Sequence, residues 1–542
     1  MGPAELAPNP EPSAPSGPAW YTRRAAHLAL IAAAAVVAYA GTLRGTFDFD
    51  TPNLVLYNGA VHGFSLANLR AVLTTQPNGV EYLPVRDLTY MLDFELWGMQ
   101  AFGYHLSNVV YYAAGCALLY LLLERLLAGW SDRPRLVAAV AAGLFVLHPV
   151  HVESVAGLAQ RKDVVSGLLC FAGLLAFQRW AERGGTRAYA VALAALVLAI
   201  LAKATAVVFP GLAALVAFRL AWRDRRVKLG LAGLAATGLL LAGILAREAA
   251  ATGILSGQTV PVWLRVLTYG KAAAWYARML LVPWPLSVIH DVGPVTSPLD
   301  PGAFAALAVI AALAVLGVRH ARRYPVLVFS LAWFLVAIVP VSGLLPAPNL
   351  VAERYLFLPS VAFALAAAWL VVDASALRGH AAAVVAASAI AILHAGVVAV
   401  RVAEWRTNGG LLVADLSRHP GSARLTSLLG RYDYANGRYD EAFALFEQAR
   451  TLDPTYQDGE LFAAIQRLEA GDAAGAVEGL FRLTDQATVD VQCLLGMAFE
   501  RMGRLDEARA RYERALRANR LMGIVFRTEA ENGLARLAGA GR

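Results

Sequence analysis

The chain has 542 residues, of which 58% are hydrophobic and only 16% charged. Its mean hydropathy is +0.53. That excludes an ordinary soluble domain and an intrinsically disordered one, and points to a polytopic membrane protein. The net charge of +8 does not signal nucleic acid, because many of the charges cluster in short loops between apolar runs, as topology signals do.

Residues 2–19 are rich in Pro, Ala and Ser and are expected to be disordered; we take 1–24 as an N-terminal tail. Arg23 and Arg24 precede an apolar run at about 25–43, whose length suits an uncleaved anchor better than a signal peptide. Further runs follow at about 105–124, 134–150, 164–180, 188–202, 204–221, 229–246, 301–318, 325–344, 355–373 and 380–401. The expectation is therefore about eleven spans within 25–404. A twelfth candidate at about 262–283 carries Arg265, Lys271 and Arg278. A central charge in a lipid-facing helix costs roughly 2.5–3.5 kcal/mol, so this stretch is predicted to lie at the interface or re-enter. Basic loops such as Arg125/Arg133/Arg135 and Arg319/Arg322/Arg323 then fall on the cytoplasmic side. The loop at about 44–104 and the C-terminal part fall outside, in the periplasm if the membrane is a bacterial inner membrane. Cys116, Cys170 and Cys493 suggest no pairing and are expected in cores.

After about residue 405 the apolar runs shorten. Gly437, Gly471 and Gly503 are spaced by 34 and 32 residues, with Ala442, Ala476 and Ala508 at a constant offset. That is the period of a tetratricopeptide repeat, two helices per unit. Residues 405–542 are predicted to be a soluble helical repeat domain with a concave surface suited to an extended peptide. The fold class is thus all-α throughout.

Chemistry-bearing residues gather in the outer loops. Asp48 and Asp50 follow the first span and would share a face if extended. As acids, they suit a general base; as loop residues, they also suit simple solvation, the commoner case. His148, His151 and Glu153 have a spacing compatible with one helical face from Pro149 onward, but no third ligand follows at a zinc spacing. Local polar structure is the first reading, a substrate-facing role the second, and no metal is assigned. Arg161, Lys162, Lys203, Arg265, Lys271 and Arg354 are the cations at the outer membrane edge. Arg grips phosphate bidentately and Lys as a point charge, although interface snorkelling is the ordinary use of such residues. Arg354 adjoins Glu353 at the mouth of a span, where an internal ion pair is the alternative.

Three ordered motifs carry a resemblance. The loop acids are followed by Tyr82–Thr89 (YLPVRDLT) and Phe102–Asn108 (FGYHLSN). His148–Gly157 (HPVHVESVAG) leads to Arg161-Lys162-Asp163. Val351–Ser360 (VAERYLFLPS) is the third. Together they resemble the GT-C glycosyltransferases with C-terminal tetratricopeptide repeats, among them the transmembrane O-mannosyltransferases that modify cadherins and their bacterial relatives. The resemblance implies a membrane enzyme that moves a sugar, with mannose a candidate, from a polyprenyl-phosphate donor to a protein or glycan acceptor. It implies inversion, no cofactor and no obligatory metal. The family's loop acid falls on Asp50, with Asp48 in support; the family often has adjacent acids, whereas here Thr51 follows Asp50. Arg161, Lys162 and Arg354 are the candidate phosphate holders. Glu153 and Glu353 would orient them, and His151 and Arg86 complete the candidate substrate-binding set. Two rivals remain: a non-catalytic, membrane-anchored repeat scaffold for envelope assembly, and a glycan ligase or polymerase using a diphosphate donor.

Overall fold

The computed structural model describes residues 24–47, 49–76, 81–251, 261–344, 349–373, 380–483, 488–517 and 524–540. Asp48 and residues 1–23 of the N-terminal tail lie outside them. Every named element is helical, as the composition predicts. Six helices are long and apolar enough to cross a membrane: Arg24–Arg44, Ala101–Leu126, Leu158–Arg183, Arg225–Arg247, Pro301–His320 and Ala387–Glu404. The other five expected spans fall on a bent pair and on four shorter apolar helices, Thr186–Ala202, Ala204–Leu220, Pro325–Ala337 and Ser360–Val372. The bent pair is Pro134–Val146 with Pro149–Ala156, turned by 56°. Pro149 cannot donate to a continuing helix, so the chain turns there instead of running straight to residue 150.

One apolar core joins the membrane helices, with Leu119, Phe145, Phe171, Leu174 and Trp333 buried in it. Small residues set its close approaches. A Cβ on Gly167 would lie 2.2 Å from the Phe357 ring, and one on Gly173 would lie 2.7 Å from Phe209. Cys116, Cys170 and Cys493 are free and buried. The basic helix Val262–Leu281 is not among the six span candidates. One of its faces is anchored by Tyr276, whose hydroxyl donates to the Val341 carbonyl at 2.6 Å, while Lys271 donates to the Gly293 carbonyl at 3.1 Å.

The loop after the first span is folded. Helices Leu66–Thr74 and Pro84–Trp97 close over a small core of Val55, Val61, Val72, Tyr90, Met91 and Tyr104, which also takes in Leu158. The C-terminal part is a stack of helix pairs: Ala423–Ala435 with Tyr439–Leu452, Asp458–Glu469 with Ala473–Phe481, and Val489–Arg501 with Leu505–Arg517. The periodic glycines all sit in the turn within a pair, at φ +76°, +87° and +74°, where an L side chain would be strained. Ala442, Ala476 and Ala508 are fully buried between the paired helices.

Candidate active site

The three motifs and the turn at Lys203 bring five basic side chains to one end of the bundle. Each is held by an acid, because a charge leaving water needs a partner. Lys162 Nζ donates to both oxygens of Glu81, at 2.8 and 2.9 Å. Arg86, fully buried, reaches Glu81 at 2.9 Å and Asp87 at 2.8 Å. Burial alone would raise the Glu81 carboxyl, but the nearby charges of Lys162 and Arg86 outweigh it and lower the pKa to about 2. Lys203 pairs with Asp163. Arg354 pairs with Glu153, whose second oxygen accepts from the Arg354 backbone N–H at 2.9 Å. Burial lowers the Arg354 guanidinium's pKa, but Glu153 and Tyr355 raise it further, so it stays charged.

The Asp163–Lys203 pair and Arg354 line a small open cleft. Its polar wall is Asp163, Lys203 and Arg354; its apolar wall includes Ala337, Val341, Phe357 and Leu358. Tyr355 lies under both cations, with its ring centre 5.3 Å from Lys203 Nζ and 5.1 Å from the Arg354 guanidinium. Cations beside an apolar wall can hold a phosphate whose tail is a hydrocarbon. Lys203 stood in the sequence as one membrane-edge cation among six, and Asp163 as the end of a motif. A lone base between two apolar runs requires a partner nearby, and that was the available signal.

Arg161 has a different setting. It is fully buried and is not part of the cleft wall. Its guanidinium donates to Asp93, to Asn108 Oδ1 at 2.8 Å and to the Tyr104 carbonyl at 2.6 Å. It also lies 4.8 Å from the Tyr90 ring centre, and Ser107 Oγ donates to Asp93 at 2.6 Å. Arg161 thus fastens the Pro84–Trp97 helix to the bundle. His151 is enclosed too, between the Tyr112 hydroxyl and Ser360 Oγ, each at 2.8 Å. Glu353 does not hold Arg354: it accepts from the Ser287 N–H and lies 3.1 Å from His290 Nε2. Burial raises its carboxyl pKa, against the pull of His290 and Arg401. Among the described residues, no group of three His, Cys, Asp or Glu side chains is placed to hold a metal ion.

No continuous helix runs from Pro149 to Arg161. Gly157 is extended and separates two short helices, so Glu153 turns to Arg354 and Arg161 to Asp93. A Cβ at Gly157 would lie 2.9 Å from the Trp405 ring, and the absence of one permits that contact. Trp405 also packs against Phe49, with ring centres 5.8 Å apart. The acid loop and the Glu153 turn therefore share one indole. Asp50 is solvent-exposed. Just before it, Phe49 adopts φ +44°, its N–H donating to Asn408 Oδ1 at 2.9 Å. Thr46 N donates to the Arg406 carbonyl at 3.3 Å.

Residues 489–520 match the tetratricopeptide repeat family. A Caenorhabditis elegans protein O-mannosyl-transferase is 24% identical over 450 residues, covering 80% of this chain and 63% of that protein. A Drosophila melanogaster protein O-mannosyl-transferase is 34% identical over 162 residues, 28% of this chain and 18% of that one. A second from the fly is 24% identical over 446 residues, 68% and 48% of the two chains. The chain thus spans under two thirds of the length of these relatives. Among solved structures, ArnT from Cupriavidus metallidurans, crystallised with undecaprenyl phosphate, aligns with a TM-score of 0.35 at 14% identity, covering 75% of this chain and 80% of that one. By sequence, this chain is similar to protein O-mannosyl-transferases along most of its own length, with a tetratricopeptide repeat match in its C-terminal part.

Proposed function

We propose that the chain is a GT-C membrane glycosyltransferase that moves a sugar, with mannose the first candidate, from a polyprenyl phosphate to a hydroxyl on the outer face. The observation that carries this reading is the cleft in which Lys203 and Arg354 stand beside an apolar wall. Its cations would hold the phosphate and stabilise the charge that grows as it leaves, with Lys162 as a further holder. The wall would take the first units of the lipid. Glu153 orients Arg354, Arg86 and Glu81 set Lys162, and Arg161 acts at a distance by fixing the loop through Asp93. Asp50, with Asp48 in support, would take the acceptor proton. The acceptor oxygen attacks the anomeric carbon from the face opposite the phosphate, the carbon–oxygen bond to phosphate breaks, and the configuration inverts. The products are the glycosylated acceptor and the polyprenyl phosphate, with the proton left on the acid.

In this reading residues 25–404 form the catalytic membrane domain and 405–542 a repeat domain that binds the acceptor on the periplasmic side of a bacterial inner membrane. The test is transfer from labelled polyprenyl-phosphate mannose in membranes holding wild-type, Arg354→Ala or Asp50→Asn protein. Both variants are expected to lose at least about 100-fold in rate, on the scale of one removed charge stabiliser or base. Unchanged transfer by Arg354→Ala overturns the phosphate assignment, and unchanged transfer by Asp50→Asn removes that acid as the base. Turnover of a diphosphate-linked donor alone identifies a ligase instead.

A further inference from the structure

The helix Asn408–Arg418 is the first after the last membrane helix, and by sequence it belongs with the repeats. Its two ends bond to two separate parts of the candidate site. At its N-terminal end, Asn408 Oδ1 accepts from the Phe49 N–H at 2.9 Å. Phe49 sits at φ +44°, a conformation that non-glycine residues keep only where their surroundings enforce it. The next residue is Asp50.

Toward the other end, Asp415 is fully buried and pairs with Arg401. Its Oδ2 accepts from the Val288 N–H at 2.8 Å and from Ser287 Oγ at 3.3 Å. The same short segment returns to the membrane half: Ser287 N donates to Glu353, and His290 meets it at 3.1 Å. The residue after Glu353 is Arg354, on the cleft wall. Between the two ends, Leu412 packs with Ile289, Leu425 and Leu429 in one apolar cluster, and Leu411 enters the main membrane core. The helix is therefore fixed on both sides by burial and by hydrogen bonds.

We propose that the Asn408–Arg418 helix is a strut that couples the repeat domain to the catalytic site, with Asn408 and Asp415 as positioning residues. Asn408 sets the backbone that carries Asp50. Asp415 sets the 287–290 segment, through it Glu353, and so the backbone that carries Arg354. The catalytic value of this coupling rests on the glycosyltransferase reading; the mechanical coupling does not.

The test compares the full-length wild type with Asn408→Ala and Asn408→Asp in lipid vesicles. Asp at 408 keeps an oxygen able to accept from Phe49, and Ala does not. Amide hydrogen exchange over residues 45–57 is expected to quicken about fivefold in Asn408→Ala, the loss of one ordinary hydrogen bond, with 24–44 unchanged. Asn408→Asp should restore wild-type exchange. With polyprenyl-phosphate mannose, Asn408→Ala should lower kcat by a similar factor and leave the donor KM within about twofold. Wild-type exchange over 45–57 in Asn408→Ala, or equal defects in the Ala and Asp variants, overturns the strut. A wild type that exchanges as expected but transfers nothing from the lipid phosphate overturns the enzyme reading alone.

Discussion

The Arg161–Asp93 pair offers the sharpest energetic test. Both side chains have no solvent exposure, so neither is screened by water when its partner is removed. Asp93→Leu would leave the Arg161 charge enclosed by Asn108, Tyr104 and the Tyr90 ring. Breaking a pair of this kind costs about 3–5 kcal/mol, a fifth or more of the roughly 5–15 kcal/mol that stabilises a typical domain. The expected result is early loss of the folded loop at 44–104, since Arg161 helps tie the Pro84–Trp97 helix to the bundle. The assay is limited proteolysis of the loop in detergent across a denaturant series, with a double-mutant cycle through Arg161→Met. Removing both charges should recover part of the loss. About 1–3 kcal/mol should remain, because Asn108 Oδ1 and the Tyr104 carbonyl lose their donor. If Asp93→Leu falls within about 0.5 kcal/mol of wild type, or the second change brings no recovery, the structural role assigned to Arg161 is refuted.

Other consequences can be measured in the same preparations. Glu81 has its pKa lowered to about 2 from its ordinary value of 4.5, so its ion pairs stabilise the fold fully above the ordinary value and fade as pH falls through about 2; the stability gap between wild type and Glu81→Gln, followed by acid titration, should close in that window. Gly167→Ala places a methyl 2.2 Å from the Phe357 ring and should cost about 1–3 kcal/mol, with Phe357→Leu giving partial relief in thermal melts. Gly503→Ala, at φ +74°, should destabilise the last repeat by about 1–2 kcal/mol and leave exchange in the membrane helices unchanged. Glu153→Gln should reduce phosphate-donor turnover more than Glu353→Gln, because only Glu153 touches Arg354.

What could be read from the residues followed how local the cause was. Apolar length gave the helices, but among the described residues only six of the eleven expected spans fall on helices long enough to cross a membrane, or seven if the bent pair is one span. The turn glycines and buried alanines gave the repeats, because a positive φ and a close helix crossing each restrict one position to one residue type. Partners could not be read in the same way. A charge at a span's edge requires an opposite charge, but nothing local says which: Glu153 and Arg354 are 201 residues apart, and Asp163 and Lys203 are 40 apart. Thus Arg161 and Arg354, alike in the sequence as basic residues beside motifs, separate into an internal fastener and a cleft residue. The span expected at 134–150 is bent by 56° for a local reason that was visible, since Pro149 lies within it. Asp48, paired with Asp50 in the sequence reading, lies outside the described residues.

The stack of helix pairs has a consequence for how such a chain can change. A repeat touches chiefly its neighbours, and the seam with the bilayer half is made by the helix Asn408–Arg418 and the first pair, through Leu412, Leu425 and Ile289. Pairs beyond Asp458 can be duplicated, deleted or exchanged without moving that seam. The length and surface of the solenoid are thus free to diversify while the greasy half stays as it is.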